Sequence, residues 1–354
     1  MGKRTGSVLA ALVIVILIAG FALLFKGVLL GALYGNTVSI YTTTINQTTT
    51  SIPEASTTVP QSGSVNGSMS LDAYALSLIN NDRNQYGLPN VTLAGTQSGQ
   101  QHSNSMLSNN YFSHWDIFGM KPYMRYTLLG GVGAVDENVA YQENSACVLS
   151  FCHGDINVSQ SLKQMEYSMM YNDSQCCNNG HRDNILDPHH NQVSIGIAYN
   201  SSTVYFTEDF IDSYITWSGN APAYSDGNVY LSGSLSNGYS LSSVQISYDP
   251  VVQNMTRYQL NHTSSYGYGQ AVGGVVRSSN YYYQNITTIV ASRYSASGDQ
   301  FNIVFSMQNL TKQYGAGEYT VMTWLNDSKG NSFIGATYTI FMDSSGQQIT
   351  PAGV

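Results

Sequence analysis

Two histidines and a glutamate have the residue types and sequence contexts of a divalent-metal or acid–base site. His114 ends Tyr-Phe-Ser-His, Glu137 begins Glu-Asn-Val-Ala, and His181 stands in Gly-His-Arg. Neutral imidazoles and carboxylates ligate zinc and related cations, and a carboxylate that is not a ligand can act as a base. If the segment around Glu137 is extended, Val135 and Val139 share its face, so we expect a partly enclosed carboxylate that needs a partner.

A second acid could join this site from the segment Ser159–Asp173, which has the apolar spacing of a helix. Glu166 and Asp173 lie about two turns apart, hence on nearly the same side, and that side overlaps the apolar face. Either side chain can therefore point inward. The alternative, a carboxylate at the edge of a solvated face, is expected for at least one of them.

The remaining candidates for chemistry in this region are weaker. Ser113 precedes His114, but adjacency does not make a catalytic triad. His102 lies in a polar stretch predicted to be helical, 96–109, where a structural hydrogen-bonding role is expected. The glycines of 130–138 lack the Lys-Ser/Thr of a phosphate-binding loop and the third glycine of a dinucleotide fingerprint. The residues taken alone also allow a second interpretation of His114, as a core histidine enclosed by aromatic neighbours.

The four cysteines are clustered at Cys147, Cys152, Cys176 and Cys177. In an extracellular protein, an even and clustered set is typical of disulfides rather than of a metal site. We expect each of the adjacent Cys176 and Cys177 to bond with Cys147 or Cys152, and the sequence leaves open which pairs with which. The rival interpretation is zinc bound by the cysteines with His153, but the Cys-x2-Cys spacing of zinc knuckles is missing.

The elements that must position these residues follow from periodicity. Apolar spacing and helix stop signals predict helices over 71–87, 96–109 and 122–129, a further one within 159–173 and a short one after His181. Alternation from Val193 to Phe206 around the turn Asn200–Thr203 predicts a hairpin. Helices followed by strands in a run favour an α+β domain over a parallel nucleotide-binding sheet.

The N-terminal residues 1–34 are predicted to form a signal anchor. Ser7–Phe25 is uncharged and long enough to cross the bilayer as a helix. Lys3 and Arg4 precede it, so the rest of the chain is expected outside the cell, on a single-pass membrane protein. Cleavage of the segment as a signal peptide would instead make the protein secreted.

Residues 35–70 are rich in Ser, Thr and Asn, which predicts an extended stalk. Sequons for N-glycosylation recur along the chain, which supports a glycosylated exterior protein. They include those at Asn46, Asn66, Asn90, Asn157, Asn200, Asn254, Asn285 and Asn309. Charged residues make up only 10% of the chain and the net charge is −8, so the basic footprint of a nucleic-acid-binding protein is missing.

Residues 213–354 are predicted to form a separate β-sandwich, with the closing hairpin of an immunoglobulin-like domain around the turn Asp327–Asn331. A spacer or adhesion module is the expected role, since this region shows no catalytic pattern. The predicted strands are Asn228–Leu235, Val244–Tyr248, Ala271–Val276, Thr287–Ser292, Phe301–Met307, Tyr319–Leu325 and Phe333–Phe341.

The order of motifs over 71–212 resembles the CAP superfamily, which includes cysteine-rich secretory proteins, antigen-5 venom proteins and plant pathogenesis-related proteins. The resemblance rests on Tyr-Phe-Ser-His, a glycine-rich turn into Glu137-Asn138, Gly180-His181-Arg182 with Asn-Ile-Leu after it, and Ile195-Gly196-Ile197. It implies a three-layer α/β/α sandwich with a cleft lined by two histidines and two acids. By position these are His114, Glu137 and His181, with Asp173 or Glu166 as the fourth member.

Two imidazoles and one or two carboxylates that converge in a cleft suit a divalent cation, zinc above all, bound by His114, His181 and Glu137. The resemblance implies in addition an extracellular binding or signalling protein, which could take a small-molecule or lipid ligand. The family's members bind more often than they catalyse. Two other functions stay open. One is a metal-dependent extracellular hydrolase acting on peptide or cell-wall glycan, and the other is an adhesive surface protein in which the cluster only holds the fold together. The adjacent cysteines depart from the family's pattern.

Overall fold

The computed structural model describes residues 64–65, 69–144, 147–148, 151–152, 155–263 and 265–351. Val59–Val354 forms one compact unit, so the two predicted domains pack against each other. The predicted anchor and most of the predicted stalk lie outside the described residues. Within the described ranges, no helix combines the length and the apolar character that crossing a membrane requires.

The helices of the first domain confirm the predicted segments to within a few residues at each end. Ser70 caps the first helix, since its hydroxyl accepts a hydrogen bond from the N–H of Ala73. The helices are α1 (Leu71–Gln85), α2 (Ser98–Asn109), α3 (Pro122–Leu128), α4 (Val158–Tyr171), α5 (Ser174–Cys177) and α6 (Gly180–Ile185), followed in the second domain by α7 (Arg257–Leu260) and α8 (Gln308–Tyr314).

The strands before residue 213 are β1 (Ser64–Val65), β2 (Met69–Ser70), β3 (Thr92–Leu93), β4 (Ala134–Glu143), β5 (Cys147–Val148), β6 (Phe151–Cys152), β7 (Gln192–Tyr199) and β8 (Thr203–Asp212). Those after it are β9 (Ile215–Trp217), β10 (Ala223–Ser225), β11 (Asn228–Leu235), β12 (Ser240–Asp249), β13 (Gln270–Val276), β14 (Thr287–Val290), β15 (Arg293–Ser297), β16 (Gln300–Ser306), β17 (Gly317–Asn326) and β18 (Ser332–Met342).

A four-stranded sheet in the order β3-β7-β8-β4 organises the first domain. The strands are antiparallel except for the pair of β3 and β7. Glu137 on β4 lies opposite Asp209 on β8, and Asn138 lies opposite Glu208. Because successive residues of a strand point to opposite faces, Glu137 and Asp209 share one face, and Asn138 and Glu208 share the other.

The face that carries Asn138 packs on α1 and α4, which give the domain its main apolar core. Apolar side chains on alternate positions of β7 and β8 meet one face of each helix, as their spacing requires. The core includes Ala75, Ile79, Leu162, Met165, Met169, Val193, Ile195, Ile197, Phe206 and Phe210.

The face that carries Glu137 is covered by α2 and α3. Gly99 on α2 lies directly against Gly196 on β7, so that helix and strand approach at backbone distance. Ser103 on α2 donates a hydrogen bond to the carbonyl of Gly196 at 3.0 Å. Helices on both faces of one sheet agree with the expected α/β/α layering.

A buried arginine fixes the chain after α6 to the end of α1. Arg83 donates to the backbone carbonyls of Pro89 at 3.0 Å, Ile185 at 2.7 Å, Asp187 at 2.9 Å and His190 at 3.0 Å. A guanidinium that is removed from water needs such acceptors. The bonds hold the end of α6, the helix that contains His181, in a defined position.

The C-terminal half is a two-sheet β-rich region, as predicted. One sheet has the order β10-β11-β16-β15, with β9 also paired to β11, and the other has the order β14-β13-β12-β17-β18. Apolar side chains from both sheets, such as Leu231, Ile246 and Ile303, form one shared core. The hairpin of β17 and β18 around Asp327–Asn331 is confirmed, while kinship with immunoglobulin domains stays a prediction.

The connection between β12 and β13, residues 250–269, carries α7 and lies against the first domain. Lys121 precedes α3 and Tyr123 lies in its first turn. The ammonium of Lys121 and the hydroxyl of Tyr123 each donate to one carboxylate oxygen of Asp249, at 2.7 Å in both cases. The N–H of Met255 donates to the carbonyl of Ile117 at 2.8 Å. This connection therefore brings residues of the second domain to the Glu137 face of the sheet.

The contact between Gly99 and Gly196 provides a test of the packing. A Cβ at position 196 would overlap the backbone carbonyl of Gly99, and neither backbone can move without disturbing the sheet. We expect Gly196→Ala to lower the free energy of unfolding by about 2 kcal/mol or more, as overpacking does. Gly95→Ala is the matched control, since its Cβ would meet open space. Equal denaturant midpoints for the two variants would contradict this packing.

Candidate functional site

His114 and Glu137 meet in the structure, on the sheet face covered by α2 and α3. The Nδ1 of His114 lies 2.9 Å from one carboxylate oxygen of Glu137. Arg125, on α3, donates to the other oxygen at 2.6 Å and also to the backbone carbonyl of His114 at 2.7 Å. One guanidinium thus holds both the glutamate and the loop that presents the histidine.

This group is deeply enclosed, which shifts its proton equilibria. The side chain of Glu137 is 0% exposed and that of His114 is 14% exposed. Burial, together with the charge of the nearby Arg125, lowers the pKa of His114 to about 4. Burial raises the pKa of Glu137 to about 7, against the attraction of Arg125. Burial and the neighbouring Glu137 also raise the pKa of Asp209 well above its ordinary value.

His102 lies behind this group rather than in a ligand position. Its Nε2 is 2.8 Å from the carbonyl of Ser113 and 3.8 Å from Glu137. Burial lowers the pKa of His102 well below its ordinary value, so the neutral ring donates to that carbonyl. The structural role expected for His102 agrees with this geometry.

Tyr266, from the connection between β12 and β13, completes the site from the second domain. Its hydroxyl accepts a hydrogen bond from the backbone N–H of Glu137 at 2.8 Å. Its ring centroid lies 4.9 Å from that of His114. Sequence reasoning missed this residue, because nothing local marks one tyrosine out of 27 as a partner of a strand so distant in the chain.

His181 forms a second pair, with Asp173. The Nδ1 of His181 lies 2.6 Å from one oxygen of Asp173, and the backbone N–H of His181 donates to the other oxygen at 2.8 Å. The side chain of His181 is 17% exposed, and that of Asp173 is 1% exposed. Of the two acids left open by the sequence, Asp173 is the one that meets His181.

Neighbouring residues of β4 connect the two pairs. The carboxylate of Glu137 holds the ring of His114, while the amide of Asn138 donates to the backbone carbonyl of His181 at 3.1 Å. Asn184 on α6 donates to the side-chain oxygen of Asn138 at 3.0 Å. The two histidine segments are far apart in sequence. They are held by consecutive residues of one strand, whose side chains point to opposite faces of the sheet.

Glu166 takes part in neither pair. It lies on the buried face of α4, where its neighbours are Glu208 and Asp82. Burial and the charge of Glu208 raise the pKa of Glu166 well above its ordinary value. When the carboxyl group of Glu166 is neutral, its O–H can donate a hydrogen bond to the carboxylate of Glu208. Within the described residues, the oxygens of Glu166 and one oxygen of Glu208 have no other hydrogen-bond partner.

The prediction for the adjacent cysteines is wrong, because the structure bonds Cys176 to Cys177 rather than either one to Cys147 or Cys152. The physical reason lies in the backbone. Cys147 and Cys152 lie opposite each other across the antiparallel ribbon of β5 and β6, whereas Cys176 and Cys177 are adjacent residues of α5. The side chains of Cys147 and Cys152, and all of His153, lie outside the described residues.

A cluster with metal-ligand chemistry nevertheless surrounds His181. One ligand atom from each of Asp173, Cys176, Cys177 and His181 lies within 4.8 Å of the other three. Of the predicted set of His114, His181 and Glu137, only His181 belongs to this cluster. One oxygen of Glu137 is paired with the positive guanidinium of Arg125 and the other with His114, and the charge of Arg125 opposes a cation there, so Glu137 suits an orienting acid better than a ligand.

Helices on both faces of a mixed sheet, with paired histidines and acids beside its edge strand, define the class of the first domain. A family model, that of the cysteine-rich secretory protein family, CAP, matches residues 76–211. This part of the chain is a CAP domain, and the resemblance inferred from the motifs is confirmed.

Two solved structures are similar to part of this chain. One is an extracellular protein with an SCP domain from Bacillus anthracis, 23% identical, with a TM-score of 0.29 over 39% of each chain. The other is the CAP domain of the enterococcal protein PrgA, 12% identical, with a TM-score of 0.27 over 44% of this chain and 65% of that one. Both matches span less than two thirds of the compared protein. Comparison with curated proteins found no match.

The environment of His114 predicts an unusual titration. Because its folded-state pKa is about 4, the ring should stay neutral at pH 5 to 6, where an unperturbed histidine is largely charged. The unfolded chain then binds more protons than the folded one, so the contribution of His114 to stability is lost as pH falls from about 6.5 towards 4. NMR titration of the ring, assigned with His114→Asn, checks this, and a midpoint near 6.5 would contradict the enclosed site.

Removal of one oxygen tests the contribution of the second domain. Tyr266→Phe leaves the buried N–H of Glu137 without its acceptor, so we expect a loss of about 1–2 kcal/mol in the free energy of unfolding. Tyr282→Phe is the control, because Tyr282 is 75% exposed. Chemical denaturation of the three proteins makes the comparison. If Tyr266→Phe matched the wild type, the hydroxyl would contribute nothing to the site.

Proposed function

We propose that this chain is an extracellular CAP-domain binding protein whose cleft takes a divalent cation, zinc by ligand type, at His114 and His181, together with a small or lipidic ligand. The observation that carries the proposal is the hydrogen bonding of the two imidazole rings. Each is held at Nδ1 by a buried carboxylate, Glu137 for His114 and Asp173 for His181.

This arrangement is the one that metal-binding histidines have in proteins. A ligating imidazole usually donates its other ring N–H to a carboxylate, which fixes the ring and makes the free nitrogen a better ligand. When the Nδ1–H of each ring donates to its carboxylate, Nε2 keeps its lone pair. The protein then supplies two oriented nitrogens, while the acids act as positioning groups.

The proposal includes a location at the cell surface. The apolar run Ser7–Phe25, the Ser- and Thr-rich residues 35–70 and the recurring sequons support an anchored, glycosylated ectodomain, or a secreted one if the anchor is cleaved. The β-rich half, joined to the cleft through Tyr266, serves as a spacer or adhesion module in this proposal.

A hydrolase is the second candidate, and one observation favours it. A carboxyl group with a pKa of about 7 beside an imidazole suits general acid–base catalysis. The enclosure of Glu137 behind His114 and Tyr266 opposes direct contact with a peptide or glycan substrate. Turnover of such a substrate that disappears in Glu137→Gln would place this candidate first.

Calorimetric titration with zinc tests the proposed cation site, with the Cys176–Cys177 bond left intact. We expect His114→Ala and His181→Ala each to weaken zinc binding by more than about 100-fold. Each variant loses a metal ligand, and loss of a residue that only hydrogen-bonds to a ligand already costs up to about 100-fold in affinity. His262→Ala is the matched control, since His262 is exposed and stacks on Tyr258 away from the cluster. Unchanged affinity in the double His114/His181 variant would overturn the proposal.

A further inference from the structure

The segment from Asp173 to His181 folds back on itself and gathers four potential ligands from nine consecutive positions. α5 brings Cys176 and Cys177 up beside Asp173. Asn178 and Asn179 then adopt left-handed backbone conformations, with φ of 52° and 66°, which asparagine tolerates better than most residues. This double turn returns the chain so that α6 begins over the same carboxylate.

Asp173 is the centre of this arrangement. One of its oxygens lies 2.6 Å from the Nδ1 of His181 and 3.5 Å from the sulfur of Cys176. Its other oxygen accepts from the backbone N–H groups of His181 and Arg182, at 2.8 and 3.3 Å. The carboxylate is buried, whereas both cysteines are exposed. The acid is thus fixed in place, and the sulfur atoms remain open to reagents and ions from solution.

The donor set has the composition of a zinc site. Two thiolates, one imidazole nitrogen and one carboxylate oxygen provide the four ligands that zinc takes in tetrahedral geometry. Thiolates favour zinc over calcium or magnesium, which require oxygen ligands. While Cys176 and Cys177 are bonded to each other, neither sulfur is a thiolate, and the set is incomplete.

We propose that reduction of the Cys176–Cys177 bond converts this turn into a zinc site made by Cys176, Cys177, Asp173 and His181. A dithiol reductant supplies two electrons and two protons, the sulfur–sulfur bond breaks to give two thiols, and the reductant becomes a disulfide. Zinc then displaces the two thiol protons into solvent. The site differs from the proposed cleft site in its sulfur ligands and in its independence from His114.

Cobalt(II) is the probe, since thiolate ligation gives it an intense charge-transfer absorption that nitrogen and oxygen ligands do not. The full chain is titrated with cobalt before and after reduction by a dithiol, and the bound cobalt is then displaced with zinc. We expect the absorption only after reduction, one ion per chain, and its loss in the Cys176→Ser, Cys177→Ser double variant. Asp173→Asn should weaken zinc binding by at least about 10-fold, as loss of a carboxylate partner does.

Two controls separate this site from its alternatives. Cys147→Ser with Cys152→Ser should keep the absorption. His114→Ala should keep it too, although this substitution is expected to weaken binding at the cleft site proposed above. Circular dichroism of the reduced protein and of each variant confirms folding. The proposal is overturned if folded, reduced protein with free thiols gives no absorption, or if the absorption survives in the double Cys176/Cys177 variant.

Discussion

A carboxylate removed from water has to find positive charge and hydrogen-bond donors inside the protein, and the arrangement around Glu137 follows from that need. Arg125 supplies the charge, and His114 lies at the second oxygen. Because Arg125 also binds the carbonyl of His114, the same charge fixes α3 and the aromatic loop before it. The peptide N–H of Glu137 binds Tyr266, so the second domain is fixed to the same point.

The strand β4 extends this constraint to the rest of the CAP domain, because its residues bind both histidine segments. Its alternation places Glu137 and Asn138 on opposite faces, and each residue holds one of the two histidine segments. The structure therefore contains two imidazole–carboxylate pairs that are joined through one strand. Both histidine rings are already oriented by their carboxylates, so the cation binding proposed above would cost little conformational freedom.

Much of this could be predicted from local signals. Helical spacing located α1, α2, α3 and α4, and alternation located β11, β13 and β16, because periodicity over one element depends only on neighbouring residues. The short β9, β10 and β15 were missed, since three to five residues carry too little pattern. The motifs identified His114, Glu137 and His181. Long-range partners such as Tyr266 and Asp209 had no local mark, because burial and register decide their positions.

The arginine at the end of α1 has a consequence for how this fold tolerates change. Every hydrogen bond described for Arg83 ends on a main-chain oxygen, in Pro89 and in the stretch from Ile185 to His190. Replacing the side chains of that stretch leaves all of these acceptors in place. The exposed side chains of that stretch can therefore change while one guanidinium keeps the backbone path beside His181 the same.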